Sequence, residues 1–348
     1  MHIFSTTTNR QKISTLIELP SLIEFNSGSP AKAHFSNGKC ATLGCIGCSN
    51  PQCMYFDKSE TECDEVTAFP NDKTTSVCPV DAISWNERLG VPVINTDKCI
   101  NCGICIRRCP VGAIYFNGSA IEVNTSTSPY IYDNEINRTS AELQTRQIKE
   151  LANVRKCGVA ILETEQLLQA IYDKLSAAKS NSHNIIARNL LISLGCHCSI
   201  RRIGDVYTRM DAIYSSHDHC FGAVEVEFGR DTLDASRGIL DDIAVLYTRY
   251  GISKIYNTPL VICLQLPNAR QGYWQVVKDV KTVEHISIRT VTIGALMILN
   301  WNGCVFSPNE EYFYLDYDNT DLRSFISIIL GRRVRLSAKF LGILEPSK

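Results

Sequence analysis

The run CINCGICIRRCP, from Cys99 to Pro110, constrains this chain more than any other stretch. Its cysteines, Cys99, Cys102, Cys105 and Cys109, are separated by two, two and three residues. Two-residue gaps let three thiolates from one tight loop cover three corners of a cubane, so the fourth corner must come from elsewhere in the chain. A second motif is therefore expected, and one is present. CIGCSNPQC supplies Cys45, Cys48 and Cys53, and CPVDAI supplies Cys78, followed by Pro79. The PVGAI after Cys109 nearly repeats the PVDAI after Cys78, an internal two-fold repeat. In all there are 16 cysteines in 348 residues, ten of them between Cys40 and Cys109. Such density implies a disulfide scaffold only in short secreted chains. This chain is long, is 45% hydrophobic, and begins MHIFSTTTNRQKISTLIELP, which lacks the ordered regions of a secretory signal. Its longest apolar candidate, Thr290–Trp301, is too short to cross a bilayer. The expectation is thiolate ligation of metal in a reducing, cytoplasmic compartment, with no membrane partner.

The spacing C-x2-C-x2-C-x3-C-P resembles that of the bacterial ferredoxins, and residues 38–125 resemble their two-cluster [4Fe–4S] members. CIGCSNPQC looks like the C-x2-C-x4-C variant found in electron-transfer subunits of molybdopterin oxidoreductases. The resemblance implies an α+β ferredoxin-like domain with two [4Fe–4S] clusters. One would take Cys45, Cys48, Cys53 and Cys109, and the other Cys99, Cys102, Cys105 and Cys78. The family usually has three residues between the third cysteine and the Cys-Pro pair, whereas here Met54–Val77 intervene. That loop could alter exposure of the first cluster or contact a partner, and it leaves Cys40 and Cys63 as alternatives to Cys53. Cys40, Cys45 and Cys48 also mimic the plant-type two-iron spacing, but the repeat around Cys78 and Cys109 favours two cubanes. Zinc knuckles use C-x2-C pairs without this run. No G-x-G-x-x-G follows a strand, so the sequence carries no flavin or nicotinamide fingerprint. The clusters could carry electrons, sense oxidation or hold the fold together.

The chain reads as an N-terminal extension (1–37), the cysteine-rich domain (38–125), a linker (126–145) marked by the polar stretch NTSTSPYIYDNEINRTS that begins at Asn124, and a second domain (146–348). From Gly38 to Thr125 there are seven basic and ten acidic residues, a net of −3. With −1 over the whole chain, no global basic field exists to capture nucleic acid. In the second domain helices are expected at Ala141–Leu151, after a Thr164 cap, at Ser182–Leu194 and at Thr232–Tyr250, with Gly195 and Gly251 as stops. A further helix is expected near Trp274–Val280. Strands are expected at Met210–Tyr214, Ala223–Phe228, Pro259–Leu266 and Ile286–Ile293. Alternating strands and helices indicate an α/β fold, here an α/β/α sandwich with a central mixed sheet.

A second constellation lies at Asp211 and in AVEVEFG. Strand alternation sets Glu225 and Glu227 on one face, with Asp211 on the preceding strand. Three unpaired carboxylates would repel one another in a partly buried sheet, and an oxygen-binding dication such as Mg2+ resolves the conflict. The order acid, turn, E-x-E, long helix, buried strand resembles the PD-(D/E)xK nucleases of the type II restriction class. That resemblance implies a Mg2+-dependent nuclease acting on nucleic acid, with DNA as the expected substrate in the sense of restriction or defence, and a homodimer as an allowed assembly. Asp211 and Glu225 would be metal ligands and Glu227 would replace the family's Lys. Met210 stands where the family has Pro. Arg201, Arg202 and Arg209, and Arg332, Arg333, Arg335 and Lys339, are candidate phosphate contacts. The alternatives are an electron-transfer protein whose C-terminal domain docks a redox partner, and a silent DNA-binding module. Weaker signals are CHC (Cys196, His197, Cys198) and HDHC (His217, His219, Cys220) as zinc ligands. Cys157, Cys263 and Cys304 read as small core residues. Glu163 or Glu165 reads as a solvated first-turn acid.

Overall fold

The computed structural model describes residues 35–36, 39–40, 51–109, 113–117, 120–125, 164–178, 180–229, 233–270, 272–309, 312–337 and 340–347. Cys45, Cys48, Cys157, Glu163, Lys339, the 126–145 linker and the helix expected at 141–151 lie outside the described residues. The chain divides into two units that interleave along the sequence. Among the described residues, the first draws on residues up to Phe56, Ser76 to Thr125 and Asn300–Cys304. The second draws on Asp57–Thr75, Thr164 to Leu299 and Val305 onward.

In the first unit the repeat seen in the sequence becomes a repeat of structure. Strands β1 (Phe35–Ser36) and β2 (Lys39–Cys40) form a short antiparallel pair. Five residues after Cys78 begins the hairpin of β3 (Ile83–Asn86) and β4 (Val91–Ile94). Five residues after Cys109 begins the hairpin of β5 (Ile114–Asn117) and β6 (Ala120–Val123). Each hairpin closes with the same bond, from Asn95 N–H to Ala82 O at 2.7 Å and from Asn124 N–H to Ala113 O at 2.8 Å. Helix α1 (Ile104–Arg108) is a single turn within the cysteine run, and its Ile104 and Ile106 are buried.

The second unit is built on a five-stranded mixed sheet in the order β11-β10-β9-β8-β7. Helix α2 (Glu165–Ser176) starts where Thr164 accepts a bond from Leu167 N–H, and it buries Leu167, Leu168, Ile171 and Leu175. Helix α3 (Ser180–Ser193) is followed by Gly195 at φ 95°, a conformation open to glycine. Strands β7 (His197–Ile200), β8 (Ala212–Ser215) and β9 (Phe221–Glu227) run antiparallel. Helix α4 (Leu233–Tyr250) crosses from β9 to β10 (Leu260–Cys263), which is parallel to β9 and wholly buried. Helix α5 (Gly272–Glu284) leads to β11 (Arg289–Thr292), again parallel. Helices α6 (Ile293–Trp301) and α7 (Leu322–Leu330) follow. The strand expected over Ile286–Ile293 is shorter, because Thr292 Oγ1 accepts the Ala295 N–H at 3.1 Å and starts a helix. The expected α/β class holds. No helix among the described residues is long and apolar enough to cross a membrane.

The residues 57–75 that separate the two cysteine motifs cover the edge of this sheet. Asp72 N–H bonds to Ile200 O and Arg202 N–H to Pro70 O, both at 2.8 Å. Ser199 Oγ accepts from Cys63 N–H and donates to Thr61 O, each at 3.1 Å. An uncovered β7 would expose a row of unpaired backbone groups, and this segment bonds the carbonyl of Ile200 at the end of that edge.

Candidate metal centre

The Cys99–Cys105 loop is shaped by two left-handed residues, Asn101 (φ 55°) and Gly103 (φ 76°). At Gly103 a Cβ would sit 3.0 Å from Trp301 Cδ1 and 3.4 Å from the Phe116 ring, so a side chain there would crowd both rings as well as strain the backbone. Backbone N–H groups reach the sulfurs. Asn101 N–H approaches Cys99 Sγ at 3.4 Å, Ala82 N–H approaches Cys78 Sγ at 3.1 Å, and Ala113 N–H approaches Cys109 Sγ at 3.2 Å. The last two are the same bond, cysteine to residue four on, in both halves of the repeat. Asp81, next to Ala82, takes a left-handed φ of 51°. Burial pushes the Cys102 thiol up, and the neighbouring Cys78 and Cys99 raise it further against the N–H groups of Ile104 and Cys102 itself. Burial also raises Cys105, followed by the fields of Cys102, Cys99, Cys78 and Cys53. Soft donors gathered in one another's field, away from water and supplied with N–H groups, suit an iron–sulfur group, which holds such thiols as thiolates.

The 24-residue separation of Cys53 from Cys78 is closed at its base. Tyr55 and Ser76 form an antiparallel bridge, and Val77 N–H donates to Met54 O at 3.0 Å. The residues just after Cys53 and just before Cys78 are thus brought side by side, as three intervening residues would bring them. Arg108, buried, donates from Nε to Gln52 O at 3.1 Å and stacks 4.4 Å over the Phe56 ring. Cys63 is engaged elsewhere: its thiol points to Ile213 O at 3.6 Å within the second unit. The side chain of Cys40 is not among those described.

The carboxylates do come together, in a way the sequence did not indicate. Glu225 on β9 lies within hydrogen-bonding reach of Asp242 on α4, a residue that sequence reasoning passed over. Burial, then the charge of Asp211, pushes Glu225 up to about 9 and Asp242 to about 7. Asp211 itself is raised by burial, while Val226 N–H (3.0 Å) and Asn184 Nδ2 (2.9 Å) bond its two oxygens and counter that rise. Glu227 turns back to bond Gly229 N–H in its own loop. Protein donors, Val226 N–H and Asn184 Nδ2 on Asp211, and the raised carboxyls of Glu225 and Asp242 ease the repulsion expected among these acids. Arg201 donates to Thr208 O at 2.6 Å, and Arg209 pairs with Asp241 at 3.5 Å. Glu165 accepts from Ser337 N–H at 3.0 Å. Cys196 and Cys198 are buried and His197 Nδ1 meets Ser59 O at 2.7 Å. Cys263 and Cys304 are buried, as small core residues are. No group of three or more His, Cys, Asp and Glu among the described residues is placed to hold a single metal ion.

A family model for the 4Fe-4S binding domain matches residues 92–115. A selenate reductase subunit of Mesobacillus selenatarsenatis is 30% identical over 144 residues, covering 32% of this chain and 47% of that one. An uncharacterized ferredoxin of Methanocaldococcus jannaschii is 42% identical over 45 residues, 13% of this chain and 28% of that one. A sulfite dehydrogenase subunit of Allochromatium vinosum is 33% identical over 86 residues, 25% of this chain and 32% of that one. No solved structure matches. The chain spans less than half the length of each of these relatives. Ferredoxins and oxidoreductase subunits overturn the nuclease reading, and neither Mg2+ nor a DNA partner finds support among them. The strands and helix that suggested it exist, but a shared order of elements is no argument for a shared reaction. What stands is an α/β chain with a 4Fe–4S binding segment of the ferredoxin kind, similar over part of its length to subunits of redox enzymes.

Proposed function

We propose that this chain is an electron-transfer protein holding two [4Fe–4S] clusters, one on Cys45, Cys48, Cys53 and Cys109 and one on Cys99, Cys102, Cys105 and Cys78. The observation that carries the reading is the duplicated turn, in which Cys78 Sγ and Cys109 Sγ each accept the N–H four residues on, just ahead of a hairpin. The closed base at Tyr55–Ser76 supports Cys53 as a ligand, and the engagement of Cys63 with Ile213 argues against that alternative. When bound, such a cluster supplies a one-electron carrier whose potential depends on charge, on hydrogen bonds to sulfur and on solvent access. The chain contributes the latter two. Ala82, Asn101 and Ala113 donate N–H groups to sulfur. Ile100, Ile104, Ile114 and Phe116 are buried and keep water from the loop. The partner is proposed to be an oxidoreductase subunit, from the names of the relatives.

Anaerobically purified protein should contain two clusters' worth of iron and labile sulfide. It should be reduced by a low-potential donor and reoxidised by an acceptor without losing iron. Cys102→Ser should remove one cluster's signal and spare the other. Iron that is bound but cannot be cycled would defeat the electron-transfer reading, and an iron-free chain would defeat the cluster reading too.

A further inference from the structure

The cysteine loop is gripped by residues about 200 positions downstream. Asn300 Nδ2 donates to Cys102 O at 2.8 Å, and Trp301 Nε1 donates to Asn101 O at 3.0 Å. Arg107 Nη1 donates to Cys304 O at 2.7 Å, which ties the same segment to the end of the loop. All of these residues belong to the first unit. Trp301 is 1% exposed, and its Cδ1 would lie 3.0 Å from a Cβ placed at Gly103.

Two successive peptides are thus held by their carbonyls. A trans peptide sets its C=O and N–H in opposite directions. Fixing Asn101 O toward Trp301 and Cys102 O toward Asn300 therefore turns the Cys102 and Gly103 N–H groups the other way. On the same loop Asn101 N–H, on the residue whose carbonyl Trp301 holds, reaches Cys99 Sγ at 3.4 Å. Hydrogen bonds to sulfur and exclusion of solvent are two of the controls on an iron–sulfur potential. We infer that Asn300 and Trp301 are positioning residues for the cluster on Cys99, Cys102, Cys105 and Cys78: by holding two loop carbonyls they aim backbone N–H groups at its sulfurs and set its reduction potential. This rests on the electron-transfer reading above.

The test is an EPR-monitored redox titration of the full chain, purified anaerobically, beside Asn300→Leu and Trp301→Phe. Leucine keeps the shape of Asn300 and loses the donor. Phenylalanine keeps an aromatic ring and loses the indole N–H. Iron and labile sulfide are assayed in all three. The expected result is full iron content and a reduction equilibrium moved about tenfold toward the oxidised form, 59 mV for one electron, in one cluster only. Unchanged potentials in iron-replete variants overturn the inference, as do equal shifts in both clusters, which would mark general loosening. Should Asn300→Leu fail to take up iron, Trp301→Phe decides alone. A parent chain without iron overturns the electron-transfer reading together with this one, and the iron assay separates that outcome from unchanged potentials in loaded protein.

Discussion

Replacing Glu225 by Gln should make the second unit more stable at neutral pH, and the gain should grow as pH rises. Glu225 and Asp242 are held near one another between β9 and α4, and Asp242 Oδ2 is buried without a hydrogen-bond partner among the described residues. Burial first, then the charge of Asp211, raises both carboxyls, Glu225 to about 9 and Asp242 to about 7. In the unfolded chain a glutamate titrates near 4.3. Between that value and about 9 the folded state retains a Glu225 proton that the unfolded state has released. Stability therefore falls as pH rises through this window, at about 1.4 kcal/mol per pH unit for each retained proton. Counting one proton for Glu225, the parent loses about 3 kcal/mol between pH 5 and pH 7 that Glu225→Gln does not lose. Two units need not unfold together, so a single global transition would confuse the comparison. Amide protection of β9 and α4 in a urea series at pH 5, 6 and 7 isolates the relevant free energy. Parallel pH profiles for the parent and Glu225→Gln, or a gain that shrinks toward pH 7, would refute the shared-proton account.

Two further substitutions probe the packing. Gly103→Ala forces a side chain into a left-handed residue, costing about 1–2 kcal/mol, and drives a Cβ to 3.0 Å from Trp301 Cδ1. It should lower iron content and melting temperature together, and a fully loaded variant melting with the parent would show that the loop tolerates the change. Ser199→Ala removes the hydroxyl that links Cys63 N–H and Thr61 O, at a local cost of about 1–3 kcal/mol. Limited proteolysis should then cut faster within 57–75, and equal cutting rates would count against that segment's role at the sheet edge.

How much of this was legible depends on how local each signal is. Thr164 caps a helix through the residues that follow it, and Gly195 and Gly251 end helices through their own φ values of 95° and 73°. The cysteine repeat was legible because ligand spacing is a local constraint on one loop. Strand β7 was not, because His197–Ile200 gains its character from pairing with β8 and with residues 57–75, far off in sequence. Asp242 looks like any polar position of an amphipathic helix until Glu225 is brought opposite it. Asn300 and Trp301 lie at the end of an apolar helix, and nothing around them in the chain marks the carbonyls of Asn101 and Cys102 as their partners. The nuclease resemblance failed on a narrower point. It identified the strands that carry Asp211 and Glu225, then assumed that close acids require a cation.

That assumption shows what separates the chain's two buried ionisable sets. A buried acid must be neutral or compensated, because its charge is costly out of water. Carboxyls solve this with a proton at modest cost, since their unfolded values lie only a few units below those in the fold. Thiols are already neutral at neutral pH, so gathering them brings no charge repulsion of the kind that close carboxylates face. Iron changes the account, because ligation demands thiolates and so releases protons as it binds. Acid therefore acts in opposite senses on the two units. It favours the protonated pair of Glu225 and Asp242, and it would oppose metal on the proposed ligands Cys78, Cys99, Cys102 and Cys105. Lowering the pH should discharge the proposed clusters while protection of β9 and α4 rises, and loss of both together would mean that the carboxyl pair, too, is held by charge.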